Sequence, residues 1–224
     1  GPELWEGRDK NKDQSYFLAR ITPEQLSGAR FPLGEIEKPR VREIARELDL
    51  PVAEKKDSQG ICFLGKVKVP EFLSNFIDDK PGEIVTTAGE VVGRHQGLHR
   101  YTLGQRRGIG VPSNTDHENF VVTGKEESSN RLIVAFESPD EPTLWGRRYE
   151  IENLSFLLDE PLSGVLELLG KVRYRDPSVA LNFRSLDSSR AEVFFWKPQR
   201  TLAPGHVLAL YDGDRLLGGG SYAR

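Results

Sequence analysis

The chain has 224 residues, of which 37% are hydrophobic and 29% charged, and its formal net charge is −3. That length allows one large domain or two small ones, no run approaches the roughly 18 apolar residues of a membrane span, and the acidic balance argues against coating nucleic acid through overall charge. A single cysteine permits no internal disulfide and points to a reducing compartment without structural zinc. Gly1-Pro2 resembles the scar of a cleaved tag, and Glu3-Leu4-Trp5 follows with no capped element, so the chain reads as a fragment. Val41, Ile44, Ala45 and Leu48 form the stripe of an amphipathic helix that Pro39 opens and Pro51 closes. Its other face, Arg40, Arg42, Glu43, Arg46 and Glu47, reads as a solvated surface. A second short helix is expected from Pro70 to Ile77, with Phe72, Leu73, Phe76 and Ile77 packing inward. Beyond Pro81-Gly82 the period becomes two. Strands are expected at 83–87 and 90–94 around Ala88-Gly89, then at 119–124, 131–136, 149–157, 165–175, 179–185, 191–196, 206–211 and 215–222. Turn signals at Ser128-Ser129-Asn130, Asp187-Ser188-Ser189 and Asp212-Gly213-Asp214 separate several of them. The pattern predicts an α+β chain, helical in its first third and then a closed or nearly closed antiparallel β-barrel, which hides its sheet edges.

The one cysteine, Cys62, follows Lys55, Lys56 and Asp57 and lies between Ile61 and Phe63. Nearby ammonium groups lower a thiol's pKa and raise its thiolate fraction, whereas Asp57 opposes this if it faces the sulfur. A lone cysteine between two apolar residues also fits a small buried hydrophobe. Residues 91–115 hold Arg94, His95, His99, Arg100, Arg106 and Arg107 and not one Asp or Glu. Such a cluster suits phosphate contacts, with Arg100, Arg106 and Arg107 as candidates, unless acidic residues elsewhere in the fold neutralise it. Gln105 and Tyr101 could add base contacts or stacking. Lys171, Arg173 and Arg175 recur with period two, which on a strand places three cations on one face. Gly104 to Gly110 lacks the Gly-Lys-Ser/Thr ending of a phosphate loop, the four histidines show no metal-ligand spacing, and no nucleophile elbow occurs.

Several strings occur in a fixed order: Asn11-Lys12-Asp13-Gln14-Ser15-Tyr16-Phe17-Leu18, Phe31-Pro32-Leu33-Gly34, and Asp57-Ser58-Gln59-Gly60-Ile61-Cys62-Phe63. They continue with Gly97-Leu98-His99-Arg100-Tyr101-Thr102-Leu103-Gly104-Gln105-Arg106-Arg107-Gly108, Val172-Arg173-Tyr174-Arg175 and Leu217-Gly218-Gly219-Gly220. The set resembles the tRNA-specific 2-thiouridylases, the MnmA/TrmU family, over nearly the whole chain.

The resemblance implies that residues 1–30 are the tail of a nucleotide-binding domain or its linker. It makes 31–78 a small helical central domain carrying the cysteine loop, and 79–224 a barrel similar to those of translation factors. It implies transfer of sulfur to the wobble uridine of tRNA, with ATP and Mg²⁺ bound by the upstream domain to adenylate the C2 oxygen. Cys62 would carry sulfur as a persulfide received from a relay protein or cysteine desulfurase, and that persulfide would either attack the activated carbon directly or first yield hydrosulfide that attacks. A second cysteine, absent from this chain, would release the product by attacking the Cys62 sulfur. The family's tRNA contacts carry over to Lys12, Asp13 and Gln14, to Arg173 and Tyr174, and to His206, where the family can present glutamine. A monomer in the cytoplasm, or in an organelle of a eukaryote, is expected, with no membrane partner and no catalysis by this chain alone. The rival reading is a non-catalytic RNA-binding module with a structural cysteine, and a protein-interaction scaffold ranks last.

Overall fold

The computed structural model describes residues 1–55, 72–112, 119–138, 140–160 and 162–223. Cys62, Lys56 and Asp57 lie outside the described residues, as does the start of the helix expected from Pro70. The chain separates into two compact units, one from Gly1–Lys56, Arg147–Gln199 and Pro204–Arg224, the other from Asp57–Gly146 and Arg200–Ala203. Among the described residues no helix is long and apolar enough to cross a membrane.

The first unit is built on an antiparallel barrel. Its strands are β1 (Leu4–Trp5), β6 (Trp145–Phe156), β7 (Val165–Lys171), β8 (Val179–Ser185), β9 (Arg190–Arg200), β10 (Val207–Asp212) and β11 (Arg215–Tyr222). They run in the order β1-β11-β10-β7-β8-β9-β6, and β11 also pairs with β6, which closes the ring. The expected barrel is therefore present. β11 splits its free edge: Leu216 pairs with Leu4 of β1, and Gly218 to Tyr222 pair with β6. Both faces of β10 are buried. Leu208 and Leu210 occupy one and Ala209 and Tyr211 the other. The second of these faces is covered from outside by Leu4, Ala19, Leu26, Leu157 and Leu216, with Tyr16, Leu18 and Ile21 packed against them. The N-terminal segment is thus a lid on the barrel wall. It forms a 3-10 turn at Ser15–Leu18 and then α1 (Pro23–Ser27), whose first turn carries a reciprocal capping box between Thr22 and Gln25.

Helix α2 (Lys38–Glu47) follows, with Pro39 in its first turn. The Asp9 carboxylate accepts from the Lys38 N–H at 2.9 Å and so satisfies one of its orphan donors. Its polar face is laced by Arg40 with Glu43 and Glu47, and by Arg46 with Glu54, as a solvated face would be. The apolar stripe is only half sunk: Val41, Ile44 and Ala45 line a groove with Leu33, Leu50 and Val52, and no residue of α2 is fully buried.

The second unit holds β2 (Gly82–Thr86), β3 (Val91–His95), β4 (Phe120–Glu126) and β5 (Arg131–Phe136) in the order β3-β2-β5-β4. The strands between 79 and 224 therefore divide between two sheets. β2 and β5 run parallel, a pairing that needs a long crossover, and the stretch between β3 and β4 supplies it. The core is Ile84, Tyr101, Ile109, Phe120, Val122, Leu132 and Val134. His95 is fully buried with Nε2 at 3.1 Å from the Asn130 carbonyl, which makes it a structural residue. The helix expected up to Ile77 is corrected here. Helical structure stops at Leu73, and the Asn75 side-chain amide donates to the Phe72 carbonyl, a local bond that competes with continued helix. Phe76 and Ile77 point outward instead of inward, Phe76 with 72% of its surface exposed.

Three glycines close the barrel because the backbones on either side leave no room. A Cβ at Gly218 would sit 2.1 Å from the Ser155 carbonyl oxygen, one at Gly219 2.3 Å from that of Leu208, and one at Gly220 2.5 Å from Ile151 Cγ2. Gly218 also has φ 140°, which side-chain-bearing residues rarely adopt. Gly218→Ala is expected to cost more than about 3 kcal/mol by combining strain with a backbone clash. Gly89→Ala, where φ is 86° but the space is open, should cost about 1 kcal/mol. Denaturant titrations of the two variants check the difference; equal losses would show that barrel closure does not depend on the glycine.

Candidate nucleic-acid interface

The loop carrying Lys12, Asp13 and Gln14 is shaped by two aspartates. Asp9 accepts from the Asn11 N–H, and its carbonyl from those of Lys12 and Asp13. Asp13 accepts from the Gly7 and Ser15 N–H groups at 2.9 and 3.3 Å and from the Ser15 hydroxyl at 2.7 Å. The Ser15 hydroxyl also meets the Tyr211 phenol at 3.0 Å. The Lys171 ammonium, 13% exposed, lies 2.5 Å from Glu6 and 3.7 Å from Asp13. Asp13 is thus occupied by the fold, and Lys12 and Gln14 flank it as exposed side chains.

Lys171 accordingly does not share a cationic strand face with Arg173 and Arg175. β7 ends at Lys171, Val172 is buried, and residues 173–176 form a turn closed by the Asp176 N–H donating to the Arg173 carbonyl at 3.2 Å. Arg175 takes a positive φ of 69° in that turn. The period-two expectation fails because the chain turns where the ammonium must be neutralised.

That turn lies beside the N-terminal segment. The Phe17 ring centroid is 4.5 Å from that of Tyr174, and Tyr16 is 6.5 Å from it. The Tyr16 hydroxyl donates to the Val207 carbonyl at 2.8 Å, next to His206. Burial, and then the Arg173 charge, hold the His206 pKa below the usual 6.5, so the ring is neutral at pH 7. Tyr149 and Tyr222 belong to the same neighbourhood: burial pushes both phenols up, and the Arg173 charge pulls each back. Arg173, Tyr174, His206 and the segment from Lys12 to Phe17 therefore share one end of the barrel. Sequence reasoning assigned no role to Phe17, Tyr149 or Tyr222, since an aromatic residue in a strand or beside leucine reads as core.

In the second unit the acid-free stretch is partly neutralised from outside itself. Arg100 makes a two-pronged pair with Asp79 at 2.7 and 2.6 Å, and His99 lies 3.3 Å from the same carboxylate. Arg106 pairs with Glu137 at 2.9 Å. Arg94 and Arg107 are exposed, with no ion pair among the described residues. The glycine-rich loop does not fit a nucleotide's phosphates. The Gly104 N–H donates to the Val122 carbonyl, the Gln105 side chain bridges Thr102 and Arg107, and no helix follows among the described residues. Among the described residues no group of three or more His, Cys, Asp and Glu side chains could hold a metal ion.

If Asp13 positions the loop, its loss is felt as stability. Asp13→Ala should cost about 3 kcal/mol, because buried N–H donors and the Lys171 ammonium lose a partner. Gln14→Ala on the same exposed loop should stay within about 0.5 kcal/mol. Urea unfolding of the two variants measures this; an Asp13→Ala chain as stable as the parent would remove the positioning role.

Three family models tile the chain: the tRNA methyl transferase HUP domain over residues 1–66, the tRNA methyl transferase PRC-barrel domain over 70–136, and the aminomethyltransferase beta-barrel domain over 147–221. A protein of Akkermansia muciniphila named tRNA-specific 2-thiouridylase MnmA is 44% identical over 222 residues, 99% of this chain and 61% of that protein. Proteins of the same name from Escherichia coli and Klebsiella pneumoniae are 42% and 43% identical over 97% of the chain. The chain spans about three fifths of the length of these relatives, 61% and 59% for the first two. By this tiling and these identities, the chain belongs to the tRNA-specific 2-thiouridylase family.

Proposed function

We propose that this chain supplies a tRNA-binding surface and the sulfur-carrying cysteine of a tRNA-uridine 2-sulfurtransferase acting on the wobble uridine. The observation that carries the reading is 44% identity across 99% of the chain to a protein named for that activity. The cationic and aromatic end of the barrel supports it. Arg173 would contact RNA phosphate and Tyr174 a base, with Lys12, Gln14 and His206 beside them, while Asp13 holds their loop. In the second unit Arg107 and Arg94 would meet phosphate most readily, because Arg100 and Arg106 already serve carboxylates. Activation of the uridine C2 oxygen by ATP is assigned to parts of the complete enzyme other than the described residues.

In this reading Cys62 takes sulfur from a persulfide-bearing relay protein or a cysteine desulfurase: the donor's S–S bond breaks and the donor leaves as thiolate. The terminal sulfur of the Cys62 persulfide then bonds to C2, and the activated oxygen departs with the C2–O electron pair. A second thiolate attacks Cys62 Sγ, the thiouridine sulfur leaves, and the resulting disulfide is returned to thiols by an external dithiol. Cys62 is the only cysteine of the chain, so that second thiol comes from elsewhere. A monomer in the cytoplasm completes the proposal.

The chain is expected to bind tRNA yet form no 2-thiouridine by nucleoside mass spectrometry, and to gain one sulfur atom at Cys62 by intact mass after exposure to a persulfide donor. Thiouridine formed by the chain alone would overturn its dependence on a second thiol. A Cys62 inert to the donor both here and in the full-length enzyme would favour the non-catalytic RNA-binding module. His206 adds a pH signature. Its folded pKa is depressed, so protonation comes as pH falls below the ordinary histidine range, costing stability but adding a cation beside Arg173. Affinity for tRNA should rise several-fold more between pH 7.5 and 5.5 in the parent than in His206→Gln, as read by fluorescence anisotropy; identical profiles would take His206 out of the contact.

A further inference from the structure

We infer that Phe17 is a stacking shelf for an unpaired nucleotide base, so that this end of the barrel grips single-stranded RNA rather than the outside of a duplex. The inference rests on the tRNA-binding reading above and specifies its mode. Phe17 leaves 60% of its surface in water although it stands in a segment whose neighbours Ser15 and Ala19 are buried. Its position is fixed from behind. Tyr16 meets it edge-on with centroids 5.5 Å apart, and Tyr174 supports it at 4.5 Å with the planes inclined by 43°. Tyr174 is covered in turn by the Arg175 guanidinium, 5.2 Å from its ring centroid. An exposed ring held by a second ring and a cation is rigid before any ligand arrives, and every base offers a π-face to such a platform.

The surroundings favour RNA over an apolar protein segment as the occupant. Arg175 is exposed, and among the described residues it has no ion pair. Arg173 lies in the same turn, 3.6 Å from Asp176. Arg20 is exposed and donates to Ser221, the register partner of Val207 beside His206. An exposed aromatic ring stacked on Tyr174, which the Arg175 guanidinium covers, matches a base with its phosphate nearby. A duplex presents neither an open base face nor room for a ring between its pairs, which is why readout by stacking selects unpaired nucleotides.

The test uses the full chain with fluorescently labelled tRNA, and with an oligoribonucleotide carrying 2-aminopurine, single-stranded or annealed to its complement. The parent is expected to prefer the single strand and to quench its 2-aminopurine. Phe17→Ala should bind tRNA about tenfold more weakly and lose the quench, whereas Phe17→Trp should keep affinity and have its indole emission quenched by bound RNA. Because Phe17 is already exposed, both variants should retain the parent's circular dichroism. If Phe17→Ala binds as the parent does while Arg173→Ala loses affinity, the shelf is refuted, Phe17 serves a protein contact or none, and the RNA surface stands. If the parent binds no RNA at all, the tRNA-binding reading falls and the shelf with it.

Discussion

An ammonium group taken almost wholly out of water must be neutralised, and the first unit is arranged around that requirement at Lys171. Its partners Glu6 and Asp13 are themselves nearly buried, at 5% and 6% of their side-chain surface. Removing one member of such a set leaves an uncompensated charge and costs several kcal/mol. Glu6 is also joined to Lys10, and Lys10 to Asp214 in the turn before β11, so the N-terminal segment is tied to two different strands of the barrel. The same tie fixes where β7 can end. With the Lys171 side chain directed to the segment, the next residues leave the sheet and turn, and that turn carries the half-buried Arg173 and Tyr174 and the exposed Arg175. One buried charge thus orders the segment carrying Lys12 to Phe17 and the turn that meets it.

Barrel closure imposes a second constraint, independent of charge. β11 is gripped by β10 on one edge and by β1 and then β6 on the other, while Ala19 packs over Gly219 at a distance that no larger residue would allow. The three consecutive glycines therefore record a crowded backbone rather than a flexible hinge. They carry function only indirectly, by letting the strand that ends in Tyr222 lie close enough for its phenol to join Tyr149 near Arg173.

Much of this was legible in the sequence where local signals were strong. The strands at 131–136, 179–185 and 215–222 match β5, β8 and β11 residue for residue, because alternation and turn residues bounded them on both sides. Partnership was not legible. Periodicity states that a segment is a strand but not which sheet it joins, so the parallel β2–β5 pair and the division into two sheets required the fold. The Lys171-Arg173-Arg175 pattern misled for a related reason, since period two is equally satisfied by a strand that stops after its first member. The clustering of Lys12, Asp13 and Gln14 with Arg173, Tyr174 and His206 came from resemblance alone. Nothing local relates residues so far apart, and nothing local marks Asp13 as the buried member of its triplet.

The acid-free stretch shows why composition is a poor guide to where RNA would sit. Four arginines without a nearby acid look like the dominant positive patch, yet Asp79 and Glu137 arrive through the fold and take up two of them. At the barrel end the sequence places Asp176 directly after Arg175, and the local charge looks smaller. There Asp13 is drawn inward to Lys171, and Asp176 lies 3.6 Å from Arg173 at the surface. What governs the surface potential is which charges the fold consumes, and Asp79 consumes Arg100 through two short charge-assisted hydrogen bonds. A chain of net charge −3 can therefore present a cationic face without any run of basic residues, provided its carboxylates are spent on structure elsewhere.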